Sequence, residues 1–185
     1  GENNTSSGDK NTFIGYQSGQ SSNSDLSDEN TFVGYQSGIN NTSGNKNTFL
    51  GSQSGYSNTT GSNNLYLGYQ AGYSNQTGIG NIFIGYQAGY SETGSNKLYI
   101  SNNQDTDGEP TLYGLLDSDQ VGIGTTNLGA YSFSVNGDTA FSNDIEVTGT
   151  VYSNMVGINT SMESGDVLSV SGTSSFTDNL NTDGI

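Results

Sequence analysis

The side chains that could do chemistry are few and almost all of one kind. The 185-residue chain carries 18 Asp and Glu against three cations, Lys10, Lys46 and Lys97, and it has no Arg, His or Cys. Without His or Cys it cannot assemble a Ser-His-Asp or Cys-His nucleophile system, a zinc centre of the usual kind, an iron–sulfur site or a disulfide framework. What remains is paired carboxylates, the machinery of glycoside hydrolysis. The candidates Asp25, Asp28, Glu29, Asp105, Asp107 and Glu109 fall in two clusters that read as loops. Nothing in their spacing sets a distance across a substrate, so the chain is expected not to be an enzyme. Asp105-Thr-Asp-Gly-Glu109 offers alternate oxygen donors around a Gly turn, the beginning of a calcium loop. It lacks the remaining spaced donors and the distal bidentate Glu, and it reads as a solvated acidic turn; no metal or cofactor is expected. Gly122-Ile-Gly124 has no third Gly and no following helix, so it is not a dinucleotide fingerprint.

The charge balance excludes two classes of partner. Three lysines in a chain of net charge −15 cannot neutralise a run of phosphates or hold an anionic membrane surface, so no nucleic-acid partner is expected. No apolar run approaches the roughly 20 residues that span a bilayer, and residues 1–10 have neither a basic nor an apolar segment. Neither membrane insertion nor a signal peptide is expected.

Uncharged rows are the other candidates. Gln17, Gln36, Gln53, Gln70 and Gln87 recur at one position of a repeat, as do Tyr16, Tyr35, Tyr69 and Tyr86, with Ser52 breaking the tyrosine series; Tyr56, Tyr73 and Tyr90 form a shorter one. In-register amides hydrogen-bond one another along a stack, or else face outward as a receptor comb, and the first reading is favoured. Rows of tyrosine either pack between coils and chains or, exposed, stack on sugar rings; packing is favoured. Asn-x-Ser/Thr triplets at Asn58, Asn75 and Asn159 are expected by chance in so Asn- and Thr-rich a chain and are given no role.

The elements that must position these rows are set by the repeat. Gly, Ser, Asn and Thr supply 100 residues while Leu, Ile, Val and Phe supply 36, a profile at the edge of disorder. Self-similarity reverses that reading. Asn11-Thr-Phe-Ile-Gly-Tyr-Gln-Ser-Gly19 returns at Asn30, Asn47, Asn64 and Asn81, and a sixth copy, Asn96-Lys-Leu-Tyr-Ile-Ser101, begins and decays. The motif glycines stand at 15, 34, 51, 68 and 85, a spacing of 19 and then 17, with a two-residue insertion expected in the acidic stretch Ser24–Glu29. Glycines and β-branched or Asn/Ser/Thr residues fill each unit, so a helix is excluded. A unit this poor in apolar residues cannot fold alone, but stacking adds such units together. Successive side chains of a strand point to opposite faces, so Phe13 and Ile14, and their equivalents, require two apolar surfaces. One is expected inside a β-solenoid and the other at an interface with another chain.

A second repeat follows. Val121-Gly-Ile-Gly-Thr125 returns as Val156-Gly-Ile-Asn-Thr160, and Phe133-Ser-Val-Asn-Gly137 as Leu168-Ser-Val-Ser-Gly172, at an offset of 35. This copy stops five residues short of a full period, from which the chain is expected to be part of a longer protein. Tyr131–Val135 and Asp144–Thr148 alternate as strands do. Pro110 and the acidic run mark a boundary, after which Thr111–Leu116 reads as a strand that restarts packing. The organisation expected is a solenoid over 1–102, an acidic connector and restart strand over 103–120, and a second β array over 121–185.

Repeats of this Asn-Thr-Phe-Ile-Gly-Tyr-Gln-Ala-Gly type, followed by Lys97-Leu-Tyr-Ile100, Leu112-Tyr-Gly114, Val121–Thr126 and Phe133–Gly137, resemble the shafts of tail fibres of tailed phages and related surface proteins of aquatic bacteria, which often end in an intramolecular chaperone of the endosialidase type. The first block is also similar to the left-handed β-roll heads of trimeric autotransporter adhesins, although the unit here is longer and places an aromatic before the aliphatic residue. The resemblance implies an all-β parallel homotrimer with coils stacked along a fibre axis. It implies a non-catalytic structural segment of a virion tail fibre that mediates attachment to a host cell surface, with two further copies of itself, other fibre or baseplate proteins and a surface glycan or protein as partners. A bacterial surface adhesin or filament subunit of the same fold, extracellular or on the cell surface, is the alternative; a glycan-binding or glycan-degrading fibre module is the second. The residues that would touch a receptor are not specified by the resemblance.

Overall fold

The computed structural model describes residues 10–22, 27–102 and 110–137. They are all-β, without a helix, and so without any helix long and apolar enough to cross a membrane. Nine short strands form one sheet in chain order. The first six, β1 (Thr12–Ile14), β2 (Thr31–Val33), β3 (Thr48–Leu50), β4 (Leu65–Leu67), β5 (Ile82–Ile84) and β6 (Lys97–Ile100), run parallel and pair motif to motif: Phe13 opposite Phe32, Phe49, Tyr66, Phe83 and Tyr99 in turn. This is the expected parallel β-solenoid, of about five turns.

Only three or four residues of each coil are strand, yet the coil-to-coil hydrogen bonds continue around the turns. Between the third and fourth coils, Thr48 N–H donates to the Asn64 carbonyl at 2.8 Å, Gly68 to Leu50 at 2.8 Å, Gln70 to Ser52 at 3.0 Å, Gly55 to Ala71 at 2.9 Å and Thr59 to Gln76 at 2.8 Å. A backbone this rich in polar residues is therefore satisfied by its neighbours above and below.

The core is a single column of rings. Phe32, Phe49, Tyr66 and Phe83 are fully buried and stack face to face with centroids 4.7–4.8 Å apart; Phe13 extends the column at 5.0 Å. That spacing is the inter-strand distance itself, about 4.8 Å, so identical rings in register stack without adjustment. Two glycine columns make room. A Cβ on Gly38 would lie 2.6 Å from the Phe32 ring, and one on Gly34 would strike the carbonyl of Gly51; both glycines also have positive φ, at 57° and 138°.

The coil lengths resolve into two local adjustments. Ser22 bonds its counterpart Asn41 at an offset of 19, whereas Ser27 bonds Gly44 at 17, which places the two extra residues between Ser22 and Ser27, at the front of the acidic stretch. At the other end one residue is missing, since Ile82 pairs with Leu98. Glu92 occupies the place of Asn75, and its longer side chain accepts from Gly94 N–H at 2.7 Å and from the Tyr99 hydroxyl at 3.0 Å, spanning the shorter turn.

The parallel order then ends. β7 (Leu112–Leu115) and β8 (Gln120–Ile123) pair antiparallel, and β9 (Phe133–Val135) returns parallel to β8. The strand expected at Thr111–Leu116 is β7. The core changes one strand earlier: Tyr99, still parallel to Phe83, meets it edge-on at 84°, and Tyr113 meets Tyr99 at 71°. The run Asp105–Glu109, the strand expected at Asp144–Thr148 and the second 35-residue copy lie outside the described residues. Replacing Phe49 by Ala, which cuts the column at its middle, is expected to cost about 3–5 kcal/mol, read as a lower denaturant midpoint; a loss below about 1 kcal/mol would show that the rings are not what holds the coils together.

Candidate interaction surfaces

Besides its core rings, this scaffold lines up four kinds of side-chain row, two polar, one aliphatic and one of tyrosines. The first is an amide row. Each of the five glutamines sits in the left-handed region, φ 53–56°, a conformation that costs an ordinary L-residue about 1–2 kcal/mol. In return the amides join end to end: Gln36 Nε2 donates to Gln17 Oε1 at 2.8 Å, Gln53 to Gln36 at 3.1 Å, Gln70 to Gln53 at 2.8 Å and Gln87 to Gln70 at 2.7 Å. The expected ladder is present, and it uses one N–H and one oxygen of each inner amide.

A second polar ladder escaped the sequence reading. Asn30, Asn47, Asn64 and Asn81, which precede the strands, are buried and bridge three coils each. Asn47 Nδ2 donates to the Gly61 carbonyl at 2.8 Å while its Oδ1 accepts the Asn64 backbone N–H at 3.0 Å. The signal was the Asn heading every motif copy, which looked like part of a turn-forming composition. The same burial settles two of the Asn-x-Thr triplets. Asn58 and Asn75 are fully buried, with amide nitrogens bonded to Gly61 and Gly94, so neither side chain is presented to solvent for modification. Asn159 lies outside the described residues.

The aliphatic partner of each core ring faces outward. Through the strand register, Ile14, Val33, Leu50, Leu67, Ile84, Ile100, Leu112, Ile123 and Val135 form one unbroken row across all nine strands. On the same face two positions earlier in the parallel strands lie Leu65, Ile82 and Leu98, and in β8 and β9 Val121 and Phe133. Ile14 is 59% exposed and Leu50, Leu67, Ile100 and Ile123 about 40%. An in-register apolar stripe of this length is far from the scattered exposed residues of an ordinary surface.

Tyrosines form the fourth row. Tyr16 stacks on Tyr35 at 5.7 Å and Tyr69 on Tyr86 at 5.5 Å, all four roughly half exposed. Tyr56, Tyr73 and Tyr90 form a separate, less exposed stack at 4.9 and 5.0 Å. Both series pack between coils, as expected, while the first keeps its rings open to solvent.

Asp28 and Glu29 are described, and Glu29 Oε1 meets Lys10 Nζ at 3.2 Å in an exposed ion pair, of little worth to stability. Asp25, Asp105, Asp107 and Glu109 lie outside the described residues. Among the described residues no group of three acids could hold a metal ion.

Among the described residues the shifted titrations belong to tyrosines. Burial pushes Tyr113 up, with the Glu92 and Asp117 carboxylates adding to it; Tyr73 is also raised, first by burial and then by Tyr56, Tyr90 and Tyr69. Burial raises Tyr66, inside the ring column, furthest above the ordinary tyrosine value of 10.0; the nearby Asn81 amide pulls the other way, and the hydroxyl makes no well-formed hydrogen bond. The unfolded chain therefore gives up this proton first. The contribution of this group is constant below about pH 10 and is lost as pH rises from there toward the folded-state value. Tyr66→Phe is expected to remove that part of the alkaline loss and, by deleting an unsatisfied buried hydroxyl, to stabilise the fold at neutral pH by about 1 kcal/mol; denaturant midpoints of both proteins at pH 8 and pH 11 check it, and parallel declines would contradict it.

No family model, no curated protein and no solved structure matches this chain.

Proposed function

We propose that the chain is a non-catalytic structural segment of a parallel homotrimeric fibre, of the tail-fibre kind, that carries or makes contact with a target cell surface. The observation that carries this reading is the outer aliphatic row. It is too long and too regular to be left to water, and every coil contributes the same position to it. Two further copies of the chain, lying parallel and in register, are the occupants that match a surface repeating once per coil, because each coil then meets its own equivalent. At about 25 cal/mol per Å² of apolar surface removed from water, such a stripe supplies the association energy that the slender core of one chain lacks.

Repetition also suits the task of attachment. A solenoid extends by adding coils of constant length, so it separates a tip from an anchor at low cost in sequence complexity. Three parallel copies present every weak surface contact three times, and the second and third contacts form at high effective concentration. The net charge of −15 discourages fibres from clumping sideways. The bacterial adhesin of the same architecture shares each of these arguments, and no described residue favours it over the virion.

The solution mass at micromolar concentration is expected to be three times the chain mass of 19.3 kDa. Leu50→Asp together with Leu67→Asp, which place two charges in the outer row without touching the ring column, should shift that mass to a monomer that keeps its β signature. A monomeric parent chain, or a double variant that stays trimeric, would overturn the reading.

A further inference from the structure

The tyrosine row has one vacancy, and its size is that of a ring. Tyr16, Tyr35, Tyr69 and Tyr86 occupy the position after the bend glycine in four coils; the coil between Tyr35 and Tyr69 carries Ser52 instead. The backbone does not notice the change. Gln53 N–H donates to the Tyr35 carbonyl at 2.8 Å and Gln70 N–H to the Ser52 carbonyl at 3.0 Å, as in the neighbouring coils, and Gln53 keeps the φ of its ladder mates, 56°. Ser52 thus stands one coil from each tyrosine, and the two rings are separated by two coil steps, roughly 10 Å. A ring inserted between them lies about 5 Å from each face, close to the 5.7 and 5.5 Å that the paired tyrosines keep from one another.

The walls and floor specify the chemistry. Both walls are aromatic faces, about half exposed, on which the C–H-rich face of a sugar packs. The floor offers the Ser52 hydroxyl. Gln36, Gln53 and Gln70 follow these three positions in sequence, and each amide has one N–H and one lone pair beyond its ladder bonds. The segment Gly-Tyr/Ser-Gln-Ser/Ala-Gly carries no charge in any coil, and the chain as a whole has only three cations, so nothing is placed to receive a carboxylated or sulfated sugar. We propose that the Tyr35–Ser52–Tyr69 notch is a subsite for one neutral hexopyranose ring of a glycan, held edge-in between the two tyrosines. Its biological meaning rests on the attachment reading above; the binding itself does not.

Saturation-transfer NMR with maltose, cellobiose and lactose at millimolar concentration, on the full chain, tests it. At least one of these neutral disaccharides is expected to receive saturation from tyrosine. Tyr35→Ala and Tyr69→Ala should each weaken it by about tenfold, the worth of one lost aromatic contact, and Tyr90→Ala, in the other stack, should leave it unchanged. Ser52→Tyr fills the vacancy with the residue the other coils carry and should abolish binding while leaving the solution mass and β signature intact. Silence from all three sugars with the parent chain, or parent-like binding by Ser52→Tyr, overturns the proposal. A Ser52→Tyr chain of altered mass does so too, because the notch is then a contact between chains. The failures are separable: a trimer that binds no sugar removes the subsite and keeps the fibre, whereas a monomer that binds one removes the fibre and keeps the subsite.

Discussion

Everything in this protein depends on one distance, the step of about 4.8 Å between hydrogen-bonded parallel strands. Because each coil repeats the last, that step carries every side chain onto its own counterpart. It sets the spacing of the phenyl rings in the core, of the amides of the glutamine ladder and of the buried asparagines that tie each coil to the next. None of these rows is stable by itself. Together they give a chain with few apolar residues a complete set of contacts, since one ring per coil, used repeatedly, does what a large three-dimensional core does elsewhere.

The constraint is strict, and its cost falls on the backbone. Rings can lie over the chain only where glycine leaves out a Cβ, as at Gly38 beneath Phe32. Glutamine accepts a left-handed conformation in every coil, offset by the bonds of its ladder. Where a coil is one residue short, a side chain absorbs the difference: Glu92, longer than the Asn it replaces, reaches across the shorter turn. Beyond β6 the repeat no longer applies. There the strands reverse, and the rings have already turned edge-on one strand earlier, where Tyr99 is still parallel to Phe83 but sits in the shortened coil with its hydroxyl bonded to Glu92.

The same periodicity writes the surface. Whatever residue a coil shows to solvent appears as a row, so a single aliphatic position becomes an apolar stripe six strands wide, which β7–β9 extend, and a single tyrosine position becomes a ladder. Recognition by such a molecule works through rows and through their interruptions. A full row invites a partner with the same repeat, which is why the aliphatic stripe points to further copies of the chain. An interrupted row, as at Ser52, creates a place with defined walls in an otherwise uniform face.

Much of this was legible in the amino-acid order. The repeat, the absence of helix, the two-sided Phe-Ile pair and the pairing of glutamines follow from spacing alone, because period-2 alternation and a fixed unit length leave little choice about which residues share a face. Asn47 and its equivalents were not legible, since an Asn before a strand has the same appearance in a turn as in a buried bridge, and only the closing of the coil brings Gly61 and the next backbone N–H to its amide. The Asn58 and Asn75 triplets were equally ambiguous until burial decided them. Nor could the sequence show that the aliphatic row runs on through Leu112, Ile123 and Val135, which belong to no 17-residue unit. Their alignment comes from the antiparallel pairing of β6 with β7 and of β7 with β8 and from the parallel pairing of β8 with β9. Local order determined which residues repeat and which alternate; the tertiary structure decided which of the repeated polar groups are sealed in, because burial is a property of the stack and not of the unit.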